Sequence, residues 1–309
     1  MKNTSLLLLF ISAFSFSQAQ IKWKPQWKEG SMQSLEYIYS KVQFKSDILN
    51  EFDSLHATIQ AKYLGSTGDN YLFQWKFNDF FADSTGSIKQ DTKEVYEIIA
   101  GTVSRCPVIF TISKDSFNVT IANEKELDSV AGLVSADMLN RLQKTGNKED
   151  QEVTLTLMQM NFAVWMEKTL YGAIKDYYSI YQKTDLKPNE KQDIKSEMEK
   201  QGNGMYSDAA EGFAILEDKD PKTYTYRYKS VLDMKKMLEA VGKSVDEDDS
   251  TMNQTYMQMG KTEISINSEI KVSRPDMAVT SFYKYEGTIV NAFGADMKEY
   301  ETLLVKAIK

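Results

Sequence analysis

The chain has 309 residues, 42% of them hydrophobic, and 37 basic against 44 acidic residues give it a formal net charge of −7. This hydrophobic content is enough for a buried core, and the mixed, slightly acidic charge argues against a surface for nucleic acid or anionic lipid. The single cysteine, Cys106, excludes an internal disulfide, so we expect packing alone to stabilise the fold.

The first twenty residues have the pattern of a secretory signal peptide. Lys2 precedes an apolar run from Leu6 to Ile11, and Ser17-Gln18-Ala19 offers a cleavage site, with cut points after Ala19 or Gln20. The run is shorter than the roughly 20 residues that a permanent membrane span needs, and no lipid-anchor cysteine follows the cleavage site. We therefore expect export to the periplasm or the extracellular space, with residues 21–309 forming a single domain.

Period-two alternation of apolar side chains marks three early strands, in which the alternating residues run from Leu35 to Tyr39, from Leu55 to Tyr63 and from Tyr71 to Phe77. Such alternation predicts half-buried antiparallel strands. The turn residues around Gly68 predict that the second and third strands form a hairpin. Two further short strands are expected at 107–112 and 117–121.

Helical spacing replaces alternation after Asn123, which together with Glu126 predicts a capping box at the start of a helix that continues to Leu142. A second run, from Gln151 to about Tyr181, carries apolar residues on two faces and predicts a long, buried central helix, broken near Gly172. The charged stretch at 187–203 predicts a solvated helix or surface excursion.

Strand patterns return in the last third of the chain. They cover 213–216, 224–228, 264–266, 270–272 and 279–285, and the final segment, 300–308, favours a strand. A short helix is expected at 230–242, with Ser230 and Asp233 as its capping box.

The order of strands, helices and strands without βαβ alternation predicts an α+β fold. We expect an antiparallel, curved sheet packed on the long central helix and on one or two shorter helices. A curved sheet over helices also occurs in periplasmic lipid and lipoprotein carriers, which is a similarity of pattern.

Catalytic residue types are sparse. His56 is the only histidine, and its place between Leu55 and Ala57 predicts an outward-facing strand residue rather than a triad member. Cys106 precedes Pro107 at the start of a strand, which favours a buried core residue over a nucleophile. No catalytic residue is therefore assigned, and the ligand-binding residues stay unknown.

Metal and cofactor sites are not expected. One histidine and one cysteine cannot complete a usual zinc site. The acidic run Asp246 to Ser250 lacks the glycine and glutamate of an EF-hand and predicts a solvated loop. The pairs Met158/Met160 and Met257/Met259 allow a copper(I) interpretation, but core packing is favoured for the first pair, which lies on a predicted helix.

Carboxylate chemistry and carbohydrate stacking stay open. Glycoside hydrolysis needs only two carboxyl groups at a suitable separation. The chain has 44 acidic residues, and its sequence does not indicate which two would form such a pair. Trp23 and Trp27 could stack on sugars, although docking of the N-terminal segment on the sheet is favoured for both.

One stretch resembles a family. Phe110 to Val119, followed by Asn123 to Leu127, is similar to a strand, turn, strand and helix-entry pattern in uncharacterised secreted proteins of Gram-negative bacteria. In this chain Asp115-Ser116 occupies the turn where those proteins often have glycine. The resemblance implies the architecture and no activity.

Two functions follow as hypotheses. The first is a non-catalytic envelope protein that encloses a hydrophobic ligand, a lipid or a peptide, or that binds a partner; it depends on the excess of aromatic and methionine residues. The second is a carboxylate-dependent hydrolase of an envelope polymer, a glycan or peptidoglycan.

Overall fold

The computed structural model describes residues 25–84, 90–142, 164, 166–183, 186–195, 209–237, 259–292 and 295–308. Within these residues eleven strands form one sheet with the spatial order β5-β4-β3-β2-β1-β11-β10-β9-β8-β7-β6. Every neighbouring pair is antiparallel. The strands are β1 (Met32–Lys45), β2 (Ile48–Thr67), β3 (Asn70–Ser84), β4 (Val108–Ser113), β5 (Val119–Ile121), β6 (Lys191–Asp193), β7 (Ala210–Glu217), β8 (Thr223–Asp233), β9 (Met259–Ser273), β10 (Val279–Ala292) and β11 (Ala295–Ala307).

The described helices are interspersed between strands. Helix α1 (Gln90–Arg105) lies between β3 and β4, and α2 (Glu124–Leu142) follows β5. Helix α3 (Gly172–Tyr178) continues a π-helical segment, Met166–Tyr171, and ends in a 3₁₀ turn, Ser179–Gln182. We refer to Met166–Gln182 as the bridging segment.

The strand order brings the two ends of the chain together. β1 and β11 pair in the middle of the sheet, with Tyr37 opposite Val305. β1 to β5 spread towards one edge, and β6 to β11 return from the other. The chain between β5 and β6 connects the two edges of the sheet, and the bridging segment lies on this path. Gln182 Nε2 donates to the Phe117 carbonyl, just before β5, at 3.2 Å, and Pro188 forms a backbone bridge with Leu216 of β7.

The core lies on one face of the sheet. A row of paired residues crosses seven strands in register, and every member is at most 7% exposed. The members are Ala57, Tyr37, Val305, Phe282, Ile270, Tyr226 and Leu216. Alternate residues point to the opposite face. The alternation of apolar and polar residues in the sequence therefore corresponds to one buried and one more exposed face of the sheet.

The same face becomes polar further along the strands. In the next row Leu55, Tyr39 and Leu303 are followed by Lys284 on β10 and Ser268 on β9. One row further, Asp53, Lys41, Glu301 and Glu286 are paired across β2, β1, β11 and β10. Charged side chains therefore share a face with the core.

The predicted fold class is wrong. The molecule is mostly one antiparallel sheet of eleven strands with shorter helical pieces, and no long central helix packs on it within the described residues. Where residues 151–181 were expected to form that helix, the described part consists of π, α and 3₁₀ turns of six, seven and four residues. These geometries differ in residues per turn, so no single helical stripe continues through the segment.

Most of the predicted strands are confirmed, and the hairpin of the second and third strands is β2–β3. The strands are longer than their alternating cores indicated: β2 spans Ile48–Thr67, and the two patterns at 264–272 belong to β9 alone. The last segment is a strand, β11.

Three local predictions differ from the structure. Helix α1 was not expected at all. Ser230 is inside β8, and the helical turn at 234–237 is capped by Asp233 alone, whose Oδ1 accepts from the backbone N–H groups of Lys235 and Lys236. The charged stretch after Lys187 contains the short strand β6, which pairs with β7.

Helix α2 begins at Glu124 as predicted, but its cap differs from a capping box. The Asn123 Oδ1 accepts from the backbone N–H of Ile109 at 2.8 Å, and the Asn123 Nδ2 donates to the Pro107 carbonyl at 2.9 Å. The same Nδ2 lies 3.5 Å from Glu126 Oε2. Asn123 therefore joins the start of the helix to strand β4.

Candidate functional site

A cavity of about 500 Å³ lies on the core face, at the end of the sheet where β1 begins and the β9–β10 turn closes. We call it the aromatic cavity. Its walls come from the N-terminal segment 26–33, from β2 and β3, from the bridging segment and from residues 273–280. Six aromatic side chains line it: Trp27, Tyr63, Phe73, Tyr177, Tyr178 and Tyr181.

Two tyrosines of the bridging segment have their hydroxyl groups bound to backbone carbonyls. Tyr177 donates to the Val279 carbonyl and Tyr181 to the Met277 carbonyl, each at 2.7 Å. Burial raises the pKa of both hydroxyls above the ordinary value, so they stay protonated donors. These bonds fix the two rings against the β9–β10 turn, where they form a closely packed wall of the cavity.

Trp27 lies among five other aromatic rings. Ring centroids of Tyr71 and Phe73 are 4.8 and 4.7 Å away, and those of Tyr181, Tyr63 and Tyr178 are 5.4 to 6.2 Å away. Four of the five contacts are edge-to-face, at 83 to 85°. Edge-to-face contacts are favoured by the charge distribution of aromatic rings, so these contacts stabilise the position of Trp27.

The segment that carries Trp27 is tied to both halves of the sheet. The Gln26 backbone N–H donates to the Asp276 carbonyl at 3.0 Å, and the Gly30 N–H donates to the Tyr63 carbonyl at 2.9 Å. Gly30 has a φ of +77°, a conformation that glycine adopts without steric cost. The segment thereby holds Trp27 at the wall of the cavity, as the docking interpretation of this residue expected.

Polar groups stand at the rim of the aromatic cavity. Lys28, Ser31, Gln33, Asp276 and Thr280 are among its lining residues. The Thr280 hydroxyl donates to the Lys271 carbonyl at 3.2 Å, and Asp276 Oδ1 accepts from the Ala278 N–H at 3.3 Å. Seven of the seventeen lining residues are polar, so the cavity combines aromatic walls with polar groups that can orient a ligand.

His56 and Cys106, which were considered and set aside as catalytic candidates, lie where the sequence predicted. His56 faces away from the core, as predicted; its ring stacks on Phe81 at 4.8 Å, and Nε2 lies 2.8 Å from the Ser54 hydroxyl. Cys106 is buried, also as predicted, just after α1. Burial raises the pKa of its thiol, which disfavours the nucleophilic thiolate.

Asp53, like Asp176, is a described acid whose carboxyl pKa is raised by burial. Burial, and next the nearby Glu51 charge, raise the pKa of its carboxyl to about 6. Its Oδ2 accepts from the Tyr96 hydroxyl at 3.4 Å, but the residue is 1% exposed and does not line the aromatic cavity. A substrate cannot contact this carboxyl in the described structure, because the residue is buried.

Several predictions fall on residues that the structure does not describe. These are the signal peptide, Trp23, the acidic run 246–250 and the methionines 158, 160 and 257. Met259 begins β9. Among the described residues, no group of three or more His, Cys, Asp or Glu side chains is placed to hold a metal ion.

The residues of the aromatic cavity were missed by sequence reasoning. Tyr177, Tyr178 and Tyr181 were assigned to the faces of a central helix, and Phe73 to a strand core. The spacing of the three tyrosines was the available signal, because i and i+4 share a helix face, but it could not show what that face meets.

Comparisons with known proteins give limited similarity. No protein-family model matches the chain, and a search of curated proteins finds no match. A solved structure of lipovitellin, titled for its lipid–protein interactions, has a TM-score of 0.42 at 7% identity; the match covers 91% of this chain, which spans only 25% of the lipovitellin chain. A de novo designed transmembrane β-barrel has a TM-score of 0.16 at 5% identity, covering 92% of this chain and 99% of the design. Neither similarity is strong enough to carry an argument.

The helices give one further fact. Of those in the described part of the chain, none combines the length and the apolar character that crossing a bilayer requires.

Proposed function

We propose that this chain is an exported, non-catalytic binding protein that holds an apolar, preferably aromatic, small molecule in the aromatic cavity. The observation that carries the proposal is the lining: six aromatic rings around about 500 Å³, with the hydroxyls of Tyr177 and Tyr181 bound to backbone carbonyls. Such a lining offers ring faces and edges, so affinity comes from apolar burial and aromatic contacts.

Export is part of this proposal and depends on the signal-peptide pattern of residues 1–20. N-terminal sequencing of the protein secreted by a Gram-negative host tests it, and a mature chain that still begins at Met1 would contradict it.

The binding test uses N-phenyl-1-naphthylamine, a neutral aromatic probe whose fluorescence rises in apolar surroundings. We expect saturable binding to protein purified without detergent and stripped of lipid. Native mass spectrometry before stripping is expected to show co-purified apolar species.

Ala278→Phe tests the location, because Ala278 lines the cavity and is partly exposed, so a larger side chain fills the opening at little cost to folding. We expect it to weaken probe binding about tenfold, the equivalent of about 1.4 kcal/mol. Ala122→Phe is the matched control at an exposed position outside the cavity lining. Equal binding by both variants would place the probe elsewhere, and absence of saturable binding to the unmodified protein would refute the function.

A further inference from the structure

A second cavity, of about 340 Å³, lies on the other side of the bridging segment. Tyr177, Tyr178 and Tyr181 face the aromatic cavity, whereas Asp176, Ser179 and Lys183 line this one. Residues three or four apart share a helix face, so the two sets lie on different sides of one element. We call the second space the lysine cavity.

The floor of the lysine cavity is apolar over one region. Phe282, Ile270 and Tyr226 are neighbours in register on β10, β9 and β8, and each is at most 3% exposed. Ile266 on β9 and Ile194, just after β6, extend the apolar lining. A hydrocarbon chain placed here is removed from water on the face that already forms the core.

The polar end of the floor is Lys284, one row further along β10. Its Nζ lies 3.3 Å from Asp176 Oδ2 and 3.5 Å from Glu286 Oε2. Charge-assisted N–H···O bonds are usually about 2.7 to 2.9 Å long, so both contacts are loose. A lysine ammonium has three donors, and it therefore keeps bonding capacity for a closer acceptor.

Lys183 is the second cation of this cavity. Among the described residues no ion pair includes Lys183, and its side chain is partly exposed at the lining. Within the lining the cations are Lys183 and Lys284, and the carboxylate is Asp176. Glu286, outside the lining, is the second carboxylate near Lys284, so Lys183 is the cation beside the apolar floor that has no described ion-pair partner.

From this arrangement we propose that the lysine cavity binds a single-chain anionic amphiphile, with the carboxylate or phosphate head at Lys284 and Lys183 and the hydrocarbon chain along Phe282, Ile270 and Ile266. Asp176 competes with the ligand head for Lys284. The site is distinct from the aromatic cavity, so its occupancy does not depend on the function proposed for that cavity.

Isothermal titration at pH 8, below the critical micelle concentrations, compares four twelve-carbon probes with the same chain: dodecanoate, dodecyl phosphate, dodecylamine and dodecanol. We expect the two anions to bind about tenfold more tightly than dodecanol, because charge-assisted hydrogen bonds contribute only to the anions. A preference between dodecanoate and dodecyl phosphate identifies the head group. Equal or tighter binding of dodecylamine overturns the proposal.

Three variants locate the site. Lys183→Met, which breaks no described ion pair, is expected to reduce dodecanoate affinity about fivefold, within the range for one exposed charge contact. Asp176→Asn removes the competing carboxylate and is expected to raise dodecanoate affinity; no change in both variants overturns the proposal. Ala278→Phe, which fills the aromatic cavity, is expected to leave dodecanoate binding unchanged, and a large loss there would place the amphiphile in the aromatic cavity and overturn the assignment.

Discussion

The Tyr177 hydroxyl donates to the Val279 carbonyl over 2.7 Å, joining positions 102 residues apart in the chain. Tyr177 and Val279 are each 2% exposed, so bulk water cannot replace this hydrogen bond for either group. This bond anchors the bridging segment to the first residue of β10, and both partners line the aromatic cavity.

Tyr177→Phe removes this donor while it keeps the ring. We expect the free energy of unfolding to fall by about 1 to 2 kcal/mol, because the Val279 carbonyl loses a short bond in a buried place. Urea unfolding followed by circular dichroism measures the change. Tyr283→Phe, at a side chain 40% exposed on the opposite face, is the control and is expected to stay within about 0.5 kcal/mol of the unmodified protein. Equal losses in the two variants would show that the bond is not a structural anchor.

The carboxyl of Asp53 makes stability depend on pH. Burial raises its pKa to about 6 from an ordinary 3.8, so between these values the folded chain holds a proton that the unfolded chain has released. This contribution of Asp53 to stability is present below about pH 4 and lost as the pH rises through 6. Asp53→Asn mimics the protonated form, and its amide oxygen still accepts from Tyr96.

The variant is therefore expected to be more stable than the unmodified protein at pH 7.5, by on the order of 1 to 3 kcal/mol, with the difference shrinking towards pH 4. Urea unfolding at several pH values measures it. Asp115→Asn, at an exposed turn, gives the baseline. A difference that is constant with pH would mean that the Asp53 carboxyl does not titrate in this range.

Gly212 in β7 is a position where a side chain is excluded. Its φ is +153°, and an added Cβ would lie 2.0 Å from the Lys229 carbonyl oxygen and 2.8 Å from the Ser230 Cα, both backbone atoms. We expect Gly212→Ala to destabilise the protein by more than about 3 kcal/mol, because the β7–β8 ladder has to separate locally.

The matched control is Gly132→Ala in helix α2, where an added Cβ has no described neighbour within 4 Å. Alanine at an exposed helical site is expected to stabilise by about 0.5 to 1 kcal/mol. Thermal unfolding measures both changes, and we expect a lower melting temperature for Gly212→Ala and a higher one for Gly132→Ala. A mild effect of Gly212→Ala would mean that β7 can move away from β8 without loss of the sheet.

Asn123 joins helix α2 to strand β4 through both ends of its amide. Asn123→Ala is expected to cost about 2 kcal/mol, because the Ile109 N–H and the Pro107 carbonyl lose short partners together. Asn123→Asp keeps the acceptor for Ile109 and is expected to lose less. Asn118→Ala, whose described side-chain acceptor contact is 3.4 Å long, serves as control in the same urea titration. A similar loss in all three variants would argue against the bridge.

The sequence allowed the strand positions to be predicted well and the architecture poorly. Alternation at Leu55 to Tyr63 is visible because every second residue is buried, whereas the flanks of β2 have no such contrast and were not recognised. Helix α1 was predictable, since Tyr96, Ile99 and Val103 have helical spacing and are buried, but no helix was expected there. The bridging segment looks like one long helix because π and α turns bury similar residue types. The spacing of apolar residues in the sequence therefore does not distinguish a continuous α-helix from a series of π, α and 3₁₀ turns.

The cavity residues could not have been predicted for a related reason. Tyr63 and Phe73 are neighbours on a hairpin, but their position beside Tyr178 depends on how the chain returns across the sheet. That return follows from β1 pairing with β11, a contact between opposite ends of the sequence. No local pattern encodes it.

The two outermost strands, β5 and β6, have three residues each, although the strands at the centre of the sheet have up to twenty. An incoming strand from another molecule gains a backbone hydrogen-bond ladder only as long as the strand it meets, so β5 and β6 themselves offer little to a second copy. Short outermost strands are one of the devices that limit edge-to-edge association of sheets, so β5 and β6 act against strand addition at these two positions.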